Sequence, residues 1–132
     1  QHIPATSIVT DVALIKCAAG MDSKILRFCV DSGSKGIVIE GLGRGNVPPA
    51  MLEGIQYALD KKVAVVLVSR CPTGRVLDTY GYEGGGRQLR QMGVLFGGSL
   101  PGQKARIKLM LALSITDDLN ELRKIIENET YQ

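Results

Sequence analysis

The sequence has a single histidine, His2, at an amino terminus expected to be mobile. A nucleophile activated by a Ser–His or Cys–His pair therefore has no base here, and a His-rich metal site is impossible. Cysteine is scarce as well. Cys17, Cys29 and Cys71 are odd in number and lack C-x-x-C spacing, which argues against a disulfide framework and fits a reducing compartment. They read as small apolar side chains packed in the core. No run approaches ~18 uninterrupted apolar residues, and the first residues lack the charged and apolar regions of a signal peptide. The chain reads as soluble, with no membrane partner. A Walker sequence G-x-x-x-x-G-K-[ST] is missing, and the nearest approach to G-x-G-x-x-G has Asn46 in its third glycine place, so the dinucleotide fingerprint fails. Sixteen Lys plus Arg against thirteen Asp plus Glu leave a scattered excess of +3. Phosphate binding needs clustered cations, so nucleic acid is not read as a partner.

What is present fits one globular domain: 132 residues, 45% apolar and 22% charged. A chain of this size buries roughly 68% of its unfolded surface and needs no covalent staple. It begins at Gln1 without an initiator Met, and the residues through Thr6 are not amphipathic. This start reads as a cut inside a longer protein, with residues 1–8 a linker remnant, 9–128 the domain and 129–132 a frayed tail.

Four short, β-branched apolar runs recur at 11–16, 36–40, 63–68 and 94–96, each the pattern of a buried strand. Between the first two, Asp22 is placed to cap a helix with Ile25, Phe28 and Cys29 on its apolar face, ending near Gly33. Pro48 and Pro49 open a second helix carrying Met51, Leu52, Ile55, Ala58 and Leu59. The run from Gly84 to Gly86 leads into a short helix with Leu89 and Met92. Pro101 starts a helix reaching about Ser114, and Thr116 or Asp117 caps a last one with Leu119, Leu122, Ile125 and Ile126. Helix follows strand throughout, so the expectation is a small three-layer α/β fold: a four-stranded, mainly parallel sheet flanked by helices.

Two loops carry chemistry. Gly41-Leu42-Gly43-Arg44-Gly45-Asn46-Val47-Pro48 follows a strand, at the rim where open α/β sheets hold ligands. Gly41, Gly43 and Gly45 permit close backbone approach. Asn46 is open to two readings: an amide offering donor and acceptor to a ligand, or a cap for the Pro48 helix. In Tyr80-Gly81-Tyr82-Glu83-Gly84-Gly85-Gly86, Glu83 is either a counter-charge for a substrate ammonium or a solvated acid near a helix start. Tyr80 and Tyr82 are either binding or packing residues. Arg70, in the turn after the third strand, suits an ion pair with a buried carboxylate, in a structural or functional role. Lys104, Arg106 and Lys108 alternate along a helix and read as solvated surface.

Together, G-I-V-I-E-G-L-G-R-G-N-V-P from Gly36, V-S-R-C-P-T-G from Val68 and Q-K-A-R-I-K-L-M from Gln103 resemble the C-terminal domain of bacterial L-asparaginases, from about Val9 to Ile126. The Tyr80 to Gly86 segment is most similar to the cytoplasmic, type I-like branch. The resemblance implies cofactor-free hydrolysis of L-asparagine to L-aspartate and ammonia through a threonine nucleophile and an acyl-enzyme ester. The family's T-G-G-T-like and G-T-D-T-like motifs do not occur in this chain, so no catalytic residue is assigned in it. It is expected to be inactive alone, with the N-terminal catalytic domain of the same protein as partner. By the same resemblance, Asn46 and Glu83, with Tyr82 beside them, contact the substrate's α-amino end across a homodimer or homotetramer interface, and the location is cytoplasmic. Asparaginase-like subunits of amidotransferases acting on misacylated transfer RNA are one alternative. A stand-alone domain that binds an amino acid at the same rim is another.

Overall fold

A computed structural model describes residues 2–72, 76, 81 and 83–128. The four expected runs form β1 (Val12–Lys16), β2 (Gly36–Gly41), β3 (Ala64–Ser69) and β4 (Leu95–Phe96). They pair in the order β1-β2-β3-β4, every pair parallel, with Val12 opposite Gly36, Gly36 opposite Ala64 and Val66 opposite Leu95. β2 and β3 are buried along their whole length. Strands covered on both faces gain from apolar residues at every position, which is why they read as unbroken β-branched runs.

The helices are α1 (Lys24–Asp31), α2 (Leu52–Asp60, entered through a 3-10 turn at Pro49–Met51), α3 (Gly86–Met92), α4 (Gly102–Leu113) and α5 (Leu119–Ile126). Side chains alternate between two cores. Ile37, Ile39, Val65 and Leu67 join Leu26, Ile55 and Leu89 on the face of α1, α2 and α3. Val38, Val66 and Val68 join Leu109, Leu122 and Ile126 on the face of α4 and α5. The result is the expected three layers. Among the described residues, no helix is long and apolar enough to cross a membrane. The expected frayed tail, 129–132, lies outside the described residues.

Several local expectations are corrected. α1 buries Leu26, with Cys29 and Val30 partly covered, whereas Ile25 and Phe28 stay 48% and 72% exposed. Residues 26, 29 and 30 satisfy the i, i+3, i+4 rule as well as 25, 28 and 29 do, and docking on α2 chooses between the two stripes. Ser23 Oγ donates to Ala50 O (2.7 Å) and accepts from Gly54 N (2.9 Å), and Arg27 pairs with Glu53. Asp22 bonds Lys24 N (3.0 Å), one residue outside the assigned N-cap, Ser23. α5 is capped by Asp118, whose carboxylate accepts Glu121 N–H at 3.0 Å, and not by Thr116 or Asp117. Of the basic residues on α4, only Lys104 is solvated. Arg106 donates to Val12 O (2.7 Å) and Thr10 O (3.3 Å), and buried Lys108 donates to Ile126 O (3.1 Å). Long basic side chains cover apolar surface with their stems while the head groups find carbonyls. Cys17 is buried, Cys29 is half-buried, and Cys71 is exposed because it lies in the rim turn beyond β3.

Candidate functional site

β2 ends at Gly41, and the chain closes at once into a tight loop. Leu42 and Asn46 exchange two backbone bonds: Leu42 N to Asn46 O at 2.8 Å and Asn46 N to Leu42 O at 3.0 Å. Only three residues remain between them, which forces unusual dihedrals. Gly43 and Gly45 take φ of +51° and +111°, a region costly to residues with a Cβ. Gly45 is further restricted by space, since a Cβ would lie 3.1 Å from both Leu67 and Val76. At Gly41 a Cβ would stand 3.0 Å from Asn46 O. The three glycines singled out from the sequence are thus needed for the shape of the loop.

The second loop lies directly against the first. Val47 N–H donates to Gly84 O at 2.9 Å, and Gly84 N–H donates to the Gln88 side chain at 2.8 Å. Asn46 and Glu83 therefore stand on either side of one inter-loop bond, although 37 positions separate them. Asn46 is half-buried and Glu83 is exposed. Among the described residues, the Asn46 side chain makes no hydrogen bond, and neither Pro49–Met51 nor α2 has a side-chain cap. The capping role is corrected accordingly: the backbone of Asn46 is committed to the loop base, and its carboxamide is left for another partner. Tyr80 and Tyr82 lie outside the described residues.

A third segment joins these two. Ser69, the last residue of β3, donates its hydroxyl to Gly43 O (2.7 Å) and accepts Cys71 N–H (3.0 Å). Arg70 N–H donates to Gly41 O at 2.8 Å. The Arg70 guanidinium donates to Cys17 O (3.2 Å), and among the described residues it forms no ion pair. The buried carboxylate at this rim, Glu40, is instead bridged by Lys16 at 3.4 Å. Burial pushes the Cys17 thiol up to about 11, with the Arg70 charge opposing and the Glu40 charge adding. Cys17 is thus a protonated packing group at neutral pH.

A polar hollow of about 310 Å³ opens at this carboxyl rim between Lys16, Glu40, Arg70 and the start of α4. Two larger hollows, about 620 and 510 Å³, sit at the amino ends of the strands beside Lys62 and Val63; neither they nor the rim hollow is lined by a residue of the two loops, and only the rim hollow reaches Ser69 and Arg70, which bond the first loop. The rim is favoured because strand-to-helix loops converge there and leave polar groups unspent. Among the described residues, no group of three His, Cys, Asp or Glu side chains could hold a metal ion. Ser69 escaped the sequence reading. The available signal was a hydroxyl placed directly after a buried apolar run, ahead of the rim turn.

A parallel sheet covered on both faces, with interlocked loops at its carboxyl rim, is an open-sheet α/β domain. The chain belongs to the glutaminase/asparaginase C-terminal domain family, whose model matches residues 11–126. It is 44% identical over 116 residues to a glutamyl-tRNA(Gln) amidotransferase subunit of Methanopyrus kandleri, covering 87% of this chain and 25% of that protein. It is 40% identical over 103 residues to an L-asparaginase of Bacillus licheniformis, covering 78% of this chain and 32% of that protein. The corresponding amidotransferase protein of Pyrococcus furiosus is 41% identical over 116 residues, covering 87% and 26%. The chain spans about a quarter to a third of the length of these relatives.

Proposed function

We propose that this domain is the amino-acid-binding wall of an L-asparaginase, which hydrolyses L-asparagine to L-aspartate and ammonia. The threonine nucleophile lies on the N-terminal catalytic domain of the same protein. Asn46 and Glu83 meet the α-amino end of the substrate with Tyr82 beside them, and the assembly is a cytoplasmic homodimer or homotetramer. The observation carrying this reading is the Val47 N to Gly84 O bond, which holds an uncommitted amide and an exposed carboxylate on adjacent turns. A zwitterionic substrate needs a counter-charge for its ammonium. A charged hydrogen bond is worth roughly 1.5–3 kcal/mol, or about ten- to a hundredfold in selection over an amide lacking that group.

In the intact protein, Glu83→Ala is expected to raise KM for asparagine severalfold and to weaken discrimination against amides without an α-amino group. Unchanged kinetics with both substrate types reject the role of Glu83. The chain alone is expected not to turn over asparagine, and hydrolysis by it, free of host enzyme, overturns the assignment of the nucleophile elsewhere. A second reading is favoured by the 44% identity to a protein of the amidotransferase: the same half-site serving a tRNA-dependent amidotransferase. Asparagine turnover by the intact protein without RNA supports the first reading. Turnover that demands a further protein chain and misacylated transfer RNA decides for the second.

A further inference from the structure

We infer that Ser69 is the positioning residue of the Asn46 loop, fixing its apex so that the Asn46 carboxamide is presented in one orientation. The inference rests on the half-site proposed above and adds a residue to it. The loop is closed at its base by the Leu42–Asn46 pair and by Gly45 N to Leu42 O (3.0 Å), bonds that lie within the loop itself. Its apex, Gly43 and Arg44, is exposed. Among the described residues, the one bond joining that apex to the rest of the fold is Ser69 Oγ to Gly43 O, 2.7 Å. The anchor is rigid. Ser69 is 6% exposed, stands opposite Gly41 in the β2–β3 register, and has its hydroxyl oxygen fixed by Cys71 N–H at 3.0 Å.

One hydroxyl therefore satisfies a loop carbonyl and a turn amide together. Removing it leaves both without this partner and frees the Gly43–Arg44 apex, and the loosening passes through Gly45 to Asn46, whose backbone stays paired at the loop base while its carboxamide loses its single orientation. Because the nucleophile of the proposed reaction lies outside this chain, the loss falls on substrate binding and not on the chemical step.

The test is a double-substitution cycle in the intact parent protein, with KM and kcat measured for the free amide substrate alongside thermal stability. Ser69→Ala is expected to raise KM roughly five- to tenfold and to leave kcat within about twofold. In an Asn46→Ala background the same change is expected to add less than about twofold to KM, since the residue it positions has gone. A purely structural role lowers the melting temperature without that non-additivity. Ser69→Cys, which keeps the volume and weakens both bonds, serves in the same cycle if the alanine variant does not fold. An unchanged KM for Ser69→Ala while Asn46→Ala raises it, or independent multiplication of the two effects, overturns the role of Ser69 and leaves the half-site intact. An unchanged KM for both Asn46→Ala and Glu83→Ala removes the half-site, and this inference with it.

Discussion

The bond between the two loops depends on residue 84 having no side chain, and Gly84→Ala tests that dependence. Gly84 takes φ of +82°, where a Cβ costs roughly 1–2 kcal/mol. The added methyl would also run into the Val47 carbonyl oxygen, a backbone atom that cannot swing aside, and would come within 3.7 Å of Pro49 N. The turn must shift, so the 2.9 Å bond from Val47 N is lost at about 1 kcal/mol. Reduced freedom of the unfolded chain returns roughly 0.4–1 kcal/mol. The net expectation is a destabilisation of about 1–2.5 kcal/mol, which for a domain of this size lowers the melting temperature by roughly 3–10 °C. Thermal unfolding followed by circular dichroism measures it. Gly81→Ala is the control, because among the described residues its methyl would meet only the flexible end of Arg87 at 3.3 Å; a change within ~0.5 kcal/mol is expected there. Equal melting temperatures for the two variants would refute the claim that this contact holds the loops together. In the intact protein, Gly84→Ala is also expected to raise KM, since the turns bearing Asn46 and Glu83 separate.

Lys62 ends α2 in the left-handed region at φ +66°, with Lys62 N bonded to Leu59 O and Val63 N to Ala58 O. Lys62→Gly relieves that strain and is expected to stabilise the fold by roughly 0.5–1 kcal/mol; a lower urea midpoint at unchanged slope would contradict it. Arg106→Met keeps the apolar stem and deletes the bonds to Val12 O and Thr10 O, at a cost of about 1–2 kcal/mol. Amide exchange should then quicken in β1 more than in β3, and uniform quickening would show that Arg106 does not specifically hold the β1 edge. Burial raises the Cys17 thiol from its ordinary 9.0 to about 11. Below pH 9 both folded and unfolded states keep the proton, so this group adds no pH dependence. Above it the unfolded chain ionises first, and stability falls as pH rises toward 11. Urea unfolding at pH 8.5 and 10.5 should show a smaller loss in Cys17→Ala than in the parent, and identical losses would refute the assignment.

The sheet was readable because β2 and β3 bury both faces, so their central residues, Ile37 to Ile39 and Ala64 to Val68, are apolar for the same reason and the runs stand out without alternation, with Glu40 and Ser69 polar only toward the carboxyl rim. The helices were readable as helices but not always in orientation. In α1 two stripes share Cys29, and the choice of Leu26 over Ile25 and Phe28 was made by Ser23 and Gly54, residues from different parts of the chain. Arg106 was misjudged for a related cause. Its carbonyl partners lie 94 and 96 positions away, and local charge spacing has no information about them. The glycine loop was legible as a shape, since three glycines in five residues announce a backbone that other residues resist. That Asn46 is uncommitted, and that Ser69 anchors its loop, required the coordinates.

The same long-range bonding governs the two margins of the sheet. A parallel sheet of four strands leaves backbone groups unpaired along β1 and β4, an invitation to strand addition. Here charged side chains take part of the place of a fifth strand. Arg106 donates to the Val12 carbonyl on β1. On β4, Glu127 accepts Phe96 N–H at 2.8 Å and binds Arg90 at 3.0 Å, while the Arg90 guanidinium lies 4.2 Å over the Phe96 ring. Each plug is a charged group bonded to a backbone dipole, and both Arg106 and Glu127 reach the strands from the layer of α4 and α5, opposite the one on which the glycine loop packs. Removal of Arg106 therefore loosens an edge without touching the loops and is the proper control for any claim that a substitution acts through the rim, whereas Glu127 also holds Arg90 on α3, the helix that follows the second loop.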